Sequence, residues 1–139
     1  MSDPVGGELH VAAGLIENDD GRVLIAQRPA GGHMAGGWEF PGGKVAAGET
    51  VLQALARELR EEIGIEVLEA QPFIRYRHAY PDRIVILDVW RVRKYAGQPR
   101  ALEGQPLRWE SVDRLLDSGL LEADRAVVEA LLSAQQTVS

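Results

Sequence analysis

The stretch Gly42 to Ile65, GGKVAAGETVLQALARELREEIGI, changes character partway along and decides how the rest of the chain is read. Its first part is rich in glycine and follows Pro41, a composition that forms turns. From Glu49 to Ile63 the pattern becomes helical: Val51, Leu52, Leu55, Leu59 and Ile63 recur at spacings of three and four and make one apolar stripe. Gly64 is a suitable stop. Glu58, Glu61 and Glu62 stand at i, i+3 and i+4, so their side chains leave the helix on one face. Like charges at that spacing repel, at a cost of about a few tenths of a kcal/mol per pair. An acidic helix face is ordinarily just a solvated surface, but two features set this one apart. The acids lie in the C-terminal half of the helix, where the macrodipole disfavours negative charge. The turn Pro41-Gly42-Gly43-Lys44 in front of the helix can also bring backbone groups close to a ligand. A divalent cation would turn the three carboxylates from a liability into a site.

Upstream, Leu9 to Ile16 is short and apolar and ends in Asn18-Asp19-Asp20-Gly21, a strong turn signal. Arg22 to Gln27 is the natural return strand, so a hairpin is expected. Pro29 to Gly37 is too rich in glycine for a regular element and is long for a loop, which points to function. Trp38-Glu39-Phe40 is a brief extended piece. Downstream, Ile65 to Leu68, Phe73 to His78 and Ile84 to Val92 read as strands, the last two joined by a hairpin turn at Tyr80-Pro81-Asp82-Arg83. Leu107 to Glu110 reads as a final strand. Ser111 is placed to cap a short helix through Leu116, and a last helix is expected from about Glu122 to Leu132. Trp38, Trp90 and Trp109 are assigned to packing. Strands and helices mix without regular alternation, which predicts a mixed sheet packed between helices rather than a doubly wound fold.

A chain of 139 residues suits one domain over its whole length, with residues 1–7 as a flexible leader and 134–139 as a tail. There is no cysteine, so disulfides and thiolate metal sites are excluded, and any metal must be held by oxygen or imidazole. No apolar run approaches the roughly 20 residues needed to span a bilayer. The start also lacks the pattern of a signal peptide. A cytoplasmic protein without a membrane partner is therefore expected, as monomer or dimer. A net charge of −6 argues against binding to a nucleic-acid polymer, which requires a basic surface. It leaves room for a small phosphate-bearing substrate, provided divalent cations sit between its anions and the carboxylates.

The spacing within the opening stretch goes further. Gly43, five residues, Glu49, seven residues, then Arg57-Glu58-Leu59-Arg60-Glu61-Glu62-Ile63-Gly64-Ile65 resembles the Nudix box at every specified position. A chance match in a chain this long is on the order of 10⁻⁷ or less. The resemblance implies an α/β fold of the Nudix kind, a mixed β-sheet sandwiched between α-helices (an α/β/α sandwich). It also implies an enzyme that hydrolyses a nucleoside triphosphate to the monophosphate and pyrophosphate, with Mg²⁺ as cofactor and Mn²⁺ as the other candidate. By position, Glu58, Glu61 and Glu62 correspond to metal ligands, joined by the Gly42 carbonyl. Arg57 corresponds to the partner that orients Glu58, and Glu49 supports the loop. Glu58 is the first candidate to take a proton from the attacking water. Glu103, in Leu102-Glu103-Gly104-Gln105, resembles an extra metal-binding glutamate of MutT-type members and is the second candidate.

The likeness to the MutT branch, which removes oxidised purine nucleotides, spans roughly residues 8 to 132. It is carried by Gln27-Arg28-Pro29, the run His33 to Lys44, Tyr80-Pro81-Asp82-Arg83 and Glu103-Gly104-Gln105-Pro106. It implies Arg28 and Lys44 as cations for phosphate oxygens and Phe40 and Tyr80 as apolar or stacking surface for the base. His33, Asp82 and Arg83 would be loop contacts. One position departs: where MutT-type readers present an asparagine at the start of the last helix, this chain has Asp124. Asparagine can donate to O6 of 8-oxoguanine while accepting from its N7–H, whereas an ionised aspartate only accepts. Loss of one such bond costs about 1–3 kcal/mol of recognition. Aspartate suits the amino group of cytosine, and the chain also resembles cytidine-triphosphate pyrophosphohydrolases in Ala26-Gln27-Arg28-Pro29-Ala30 and Gly36-Gly37-Trp38-Glu39-Phe40. Asp124 is equally suited to capping its helix. The leading substrate is 8-oxo-dGTP, with CTP or a modified dCTP as the alternative.

Overall fold

A computed structural model describes residues 8–29 and 35–137. The expected leader and most of the loop around His33 lie outside the described residues. Seven strands and two α-helices follow in the order β1 (Glu8–Ile16), β2 (Val23–Gln27), β3 (Trp38–Glu39), β4 (Gly42–Lys44), α1 (Val51–Ile63), β5 (Glu66–Tyr80), β6 (Arg83–Ala96), β7 (Leu107–Glu110) and α2 (Glu122–Thr137). A 3₁₀ turn, Val112–Asp117, precedes α2.

The helix expected from the apolar stripe is α1, and its ends have local causes. The Thr50 hydroxyl accepts from the Gln53 amide at 3.1 Å, while the Gln53 side chain accepts from the Thr50 amide at 2.9 Å. This reciprocal cap starts the helix at Val51 rather than Glu49. Gly64 ends it in the left-handed region, at φ 71°, with its amide bonded to the Arg60 carbonyl. Ala54, Leu55, Leu59 and Ile63 are buried, whereas Leu52 in the first turn stays 39% exposed and contributes less to the stripe than expected.

The strands form two sheets. The larger has the order β4-β1-β6-β5, with β1 parallel to β6 and the other pairs antiparallel; the smaller is antiparallel with the order β3-β2-β7. The expected β1–β2 hairpin is therefore corrected. The turn itself forms, since the Asn18 side chain accepts from the amides of Asp20 and Arg22. Beyond the single bridge Glu17–Val23, however, the two strands part into different sheets. The second half of β1 and most of β2 are buried on both faces, and their partners come from distant segments.

Two further expectations are revised. The two strands expected between Ile65 and His78 are one 15-residue strand, β5, whose register slips between Pro72 and Ile74 and twice nearer its start. Proline cannot donate to the ladder, so the local pattern reads as a break where the structure has an irregularity. Ser111 makes no side-chain cap, and the short helix after it is 3₁₀. The last helix is longer than expected, reaching Thr137 into the anticipated tail.

Alternation along the strands feeds two cores. Ala12, Ile16, Leu24, Ile65 and Val92 pack with α1, while Ala13, Leu15, Val23, Ile25, Leu87 and Val89 pack with Val127, Val128 and Leu131 of α2. The sheets thus lie between helices, as the α/β sandwich expectation holds. Trp38, Trp90 and Trp109 all pack against these cores. No helix among the described residues is long and apolar enough to cross a membrane.

Candidate active site

The carboxylates on α1 are organised by Arg57. Its Nε and Nη2 donate to the two Glu49 carboxylate oxygens at 2.7 and 2.9 Å. Nη1 donates to Glu58 at 2.8 Å and reaches Glu61 at 3.4 Å, and Nη2 also donates to the Lys44 carbonyl at 3.1 Å. One planar guanidinium thus ties the loop before the helix to two acids on it. The hydrogen bonds from Arg57, reinforced by the Ala46 amide, hold the Glu49 carboxyl down at about 2. Arg57 in turn is held more firmly protonated, first by Glu49 and then by Glu58.

β4 lies beneath these acids because it pairs with β1, Ala12 facing Gly43 and Ala13 facing Gly42. A Cβ at Gly42 would fall 1.9 Å from the Ala12 carbonyl oxygen, so the pairing requires glycine there. A Cβ at Gly43 would fall 2.3 Å from the Glu58 carboxyl carbon and Oε2. Gly43 is bare so that the carboxylate can rest on the backbone. The Gly42 amide donates to Glu62 Oε2 at 3.0 Å.

Glu103 arrives by a different route. The last carbonyls of α1 are capped by the segment that carries it: Arg100 donates its amide to Ile63, and the Leu102 amide and Gln105 side chain donate to Glu62. Gln105 also accepts from the Glu103 amide at 3.0 Å. The segment is thereby docked on the turn that contains Glu62. Burial, with the charges of Glu58, Glu103 and Glu39, pushes the Glu62 carboxyl up to about 8 against the opposing Gly42 amide. Glu58, Glu62 and Glu103 therefore share one electrostatic neighbourhood. Glu61 does not join them: it turns toward Arg57 and its side chain is 56% exposed. Among the described residues no three carboxylate or imidazole side chains enclose a ready metal cage. Glu58 and Glu61 are bonded to Arg57, and Glu62 to the Gly42 amide. The donor set of hard oxygens, with excess negative charge beside a glycine cradle, fits a divalent cation.

Next to this cluster is a cleft whose floor is Leu9, Val11, Val85 and Leu87 and whose polar groups are Arg28, Glu39, Tyr80, Arg83 and Asp124. Arg28 Nε donates to Glu39 at 3.1 Å. Asp124 is only 5% exposed. Its place is set by three anchors on the start of α2. The Trp38 amide and carbonyl bond to Gly119 and Leu121, the Tyr80 hydroxyl accepts from the Ala123 amide, and the Tyr76 hydroxyl donates to the Ala123 carbonyl. Burial first, then the charge of Glu39, raises the Asp124 carboxyl well above its usual range, against Arg28.

The remaining expected contacts divide. Phe40 is 3% exposed within the core on the α2 side, so it is packing rather than cleft surface, a correction of its expected role. Tyr80 lines the cleft, with its ring edge-to-face on His78 at 4.6 Å and its hydroxyl bonded to α2. Arg83 lines the cleft and pairs with Asp82 at 3.5 Å. Lys44 is exposed at the end of β4, beside the cluster through its carbonyl. His33 lies outside the described residues. Glu39, Tyr76 and Gln105 were missed from the sequence. Gln105 had a signal in the Glu103-Gly104-Gln105 run; Glu39 and Tyr76 acquire their roles from tertiary partners.

Comparison with known proteins places this geometry in context. Residues 12–130 match the sequence profile of the NUDIX domain. The 8-oxo-dGTP diphosphatase of Escherichia coli K12 is 39% identical over 124 residues, 89% of this chain and 96% of its own. The CTP pyrophosphohydrolase of the same organism is 42% identical over 125 residues, 90% of this chain and 92% of its own. The solution structure of the E. coli ORF135 protein superposes with a TM-score of 0.83 at 40% identity, covering 94% of this chain and 93% of that one.

Proposed function

This chain belongs to the Nudix family, and from that membership we propose that it hydrolyses a nucleoside triphosphate to the monophosphate and pyrophosphate, with 8-oxo-dGTP as the leading substrate. The observation that carries the proposal is the joint placement of two features. Glu58 rests on Gly43 under the hand of Arg57, and a cleft ending in buried Asp124 opens beside it. Nudix hydrolases in general need a divalent metal, and Mg²⁺ is the ion proposed here, with Mn²⁺ the other candidate. Glu58, Glu61, Glu62 and Glu103, with the Gly42 carbonyl, would hold it; when bound it supplies charge neutralisation to the triphosphate and acidifies a water.

The protein's own groups do the rest. Arg57 and Glu49 fix the orientation of Glu58, whose free oxygen accepts the proton of the attacking water; Glu103 is the second candidate for that step. The water oxygen forms a bond to phosphorus as the bridging P–O bond breaks and pyrophosphate leaves. Arg28 and Lys44 meet phosphate oxygens, while Tyr80 and the apolar floor of β1 and β6 receive the base, with Arg83, Asp82 and His33 as loop contacts. An enzyme that clears oxidised nucleotides from the free pool, and so works in the cytoplasm alongside DNA repair, fits this reading.

Cytosine nucleotides are the second reading, favoured by the carboxyl at Asp124 and by the likeness to a CTP pyrophosphohydrolase. The test compares kcat/KM for 8-oxo-dGTP, dGTP, CTP and a 5-substituted dCTP with pyrophosphate release as the readout. The highest value is expected for 8-oxo-dGTP. A clear preference for cytosine nucleotides replaces the base, and no pyrophosphate from any of the four overturns the proposal.

A further inference from the structure

Asp124 lines the base cleft at only 5% exposure, and none of the hydrogen bonds described above ends on its carboxyl. A buried carboxylate without donors is costly, and neutralisation is the usual resolution. The surroundings push the same way. Glu39 brings a second carboxyl into the cleft, and Arg28 gives its Nε to Glu39. The other titratable or charged groups facing the cleft are Tyr80 on β5 and Arg83 on β6. Tyr76 and His78 lie on the same face of β5, and Glu122 stands on α2 itself. Tyr76 gives its hydroxyl proton to the Ala123 carbonyl, and the Tyr80 hydroxyl accepts from the Ala123 amide. The start of α2 favours negative charge, but the Ala123 amide donates to Tyr80 and the Asp124 amide to the Leu121 carbonyl; burial and Glu39 prevail, and the titration of Asp124 is shifted upward.

We propose that Asp124 meets the base as a neutral carboxylic acid, offering an O–H donor beside a C=O acceptor. This rests on the nucleotide-hydrolase reading and deepens it. The donor that an ionised aspartate lacks is restored, so O6 of 8-oxoguanine receives a hydrogen bond while its N7–H gives one. Unoxidised guanine presents two acceptors at O6 and N7 and leaves the acid's carbonyl facing a lone pair. Cytosine offers the same acceptor-and-donor pair at N3 and its amino group. One side chain in one protonation state therefore suits the bases named for both relatives.

The sign of the pH dependence follows. The neutral form persists above the ordinary aspartate range of about 4 and is lost as pH rises through the folded value. The direct test is an infrared difference spectrum between the wild type and Asp124→Asn without substrate. A protonated-carboxyl carbonyl band at neutral pH, absent from Asp124→Asn, is expected; its absence from the wild type overturns the proposal. The functional arm follows the ratio of kcat/KM for 8-oxo-dGTP to that for dGTP from about pH 6 to about pH 9. Where the infrared band disappears, the wild-type ratio is expected to fall by roughly 10- to 100-fold. Asp124→Asn should keep the preference and hold it flat, since ionisation of the base itself bears on both proteins alike. Loss of the preference in Asp124→Asn at neutral pH contradicts the proposal. The infrared result needs no turnover, so failure of the hydrolase reading leaves it standing on its own.

Discussion

Arg57 makes contact with three acids and a carbonyl through a single planar group, and only a guanidinium has that shape. Lysine carries the same charge on a point donor and would serve Glu49 or Glu58, not both. Arg57→Lys is therefore expected to lower kcat by roughly 10- to 100-fold, the usual effect of losing a group that orients a ligand. KM for the nucleotide should change little. A kinetic split in the other direction, with KM raised and kcat intact, would place Arg57 on substrate instead of on Glu58. At this scale the sequence was most informative where chemistry fixes spacing along one helix. Glu58, Glu61 and Glu62 were legible from their intervals, and Gly43 from its distance to Glu49. Phe40 was misjudged because an aromatic beside a glycine turn looks the same whether it faces a ligand or the core. Glu39 was invisible for a related reason: its partner Arg28 lies across a loop, and its neighbour Asp124 comes from the last helix.

Helix α1 carries the acids, and its register over β4 depends on how its first turn is fastened. The Thr50–Gln53 cap supplies both missing bonds at that end. Thr50→Ala is expected to cost about 1 kcal/mol, read as a lower urea midpoint with the slope unchanged. An unchanged midpoint would mean that tertiary packing alone sets the start of the helix. Local signals at this scale succeeded for α1, β6, β7 and the turn at Tyr80–Arg83. They failed for the β1–β2 pair because Asn18 does form its turn, while the choice of partner strand belongs to distant residues. The gap expected between Leu68 and Phe73 failed in a similar manner: one strand runs through it, with its register slipping around Pro72.

The whole molecule carries 21 acidic and 15 Lys and Arg residues, yet the proposed substrate is itself a polyanion. The α/β sandwich was readable from the mixture of elements and the complete Nudix box. Its division into two sheets was not, because that depends on the parallel pairing of β1 with β6, whose partners, such as Glu8 with Ile84, are 76 residues apart in the sequence. Two sheets between two helices bring the acids of α1, Glu103 and Glu39 into one electrostatic neighbourhood, where the proposed phosphates would lie. Negative protein and negative substrate can meet there productively only with cations between them. The most direct measurement is pyrophosphate release from 8-oxo-dGTP by protein stripped with EDTA and then given Mg²⁺. Turnover should stop on chelation and return with the added ion, whereas undiminished turnover after thorough chelation would contradict the account.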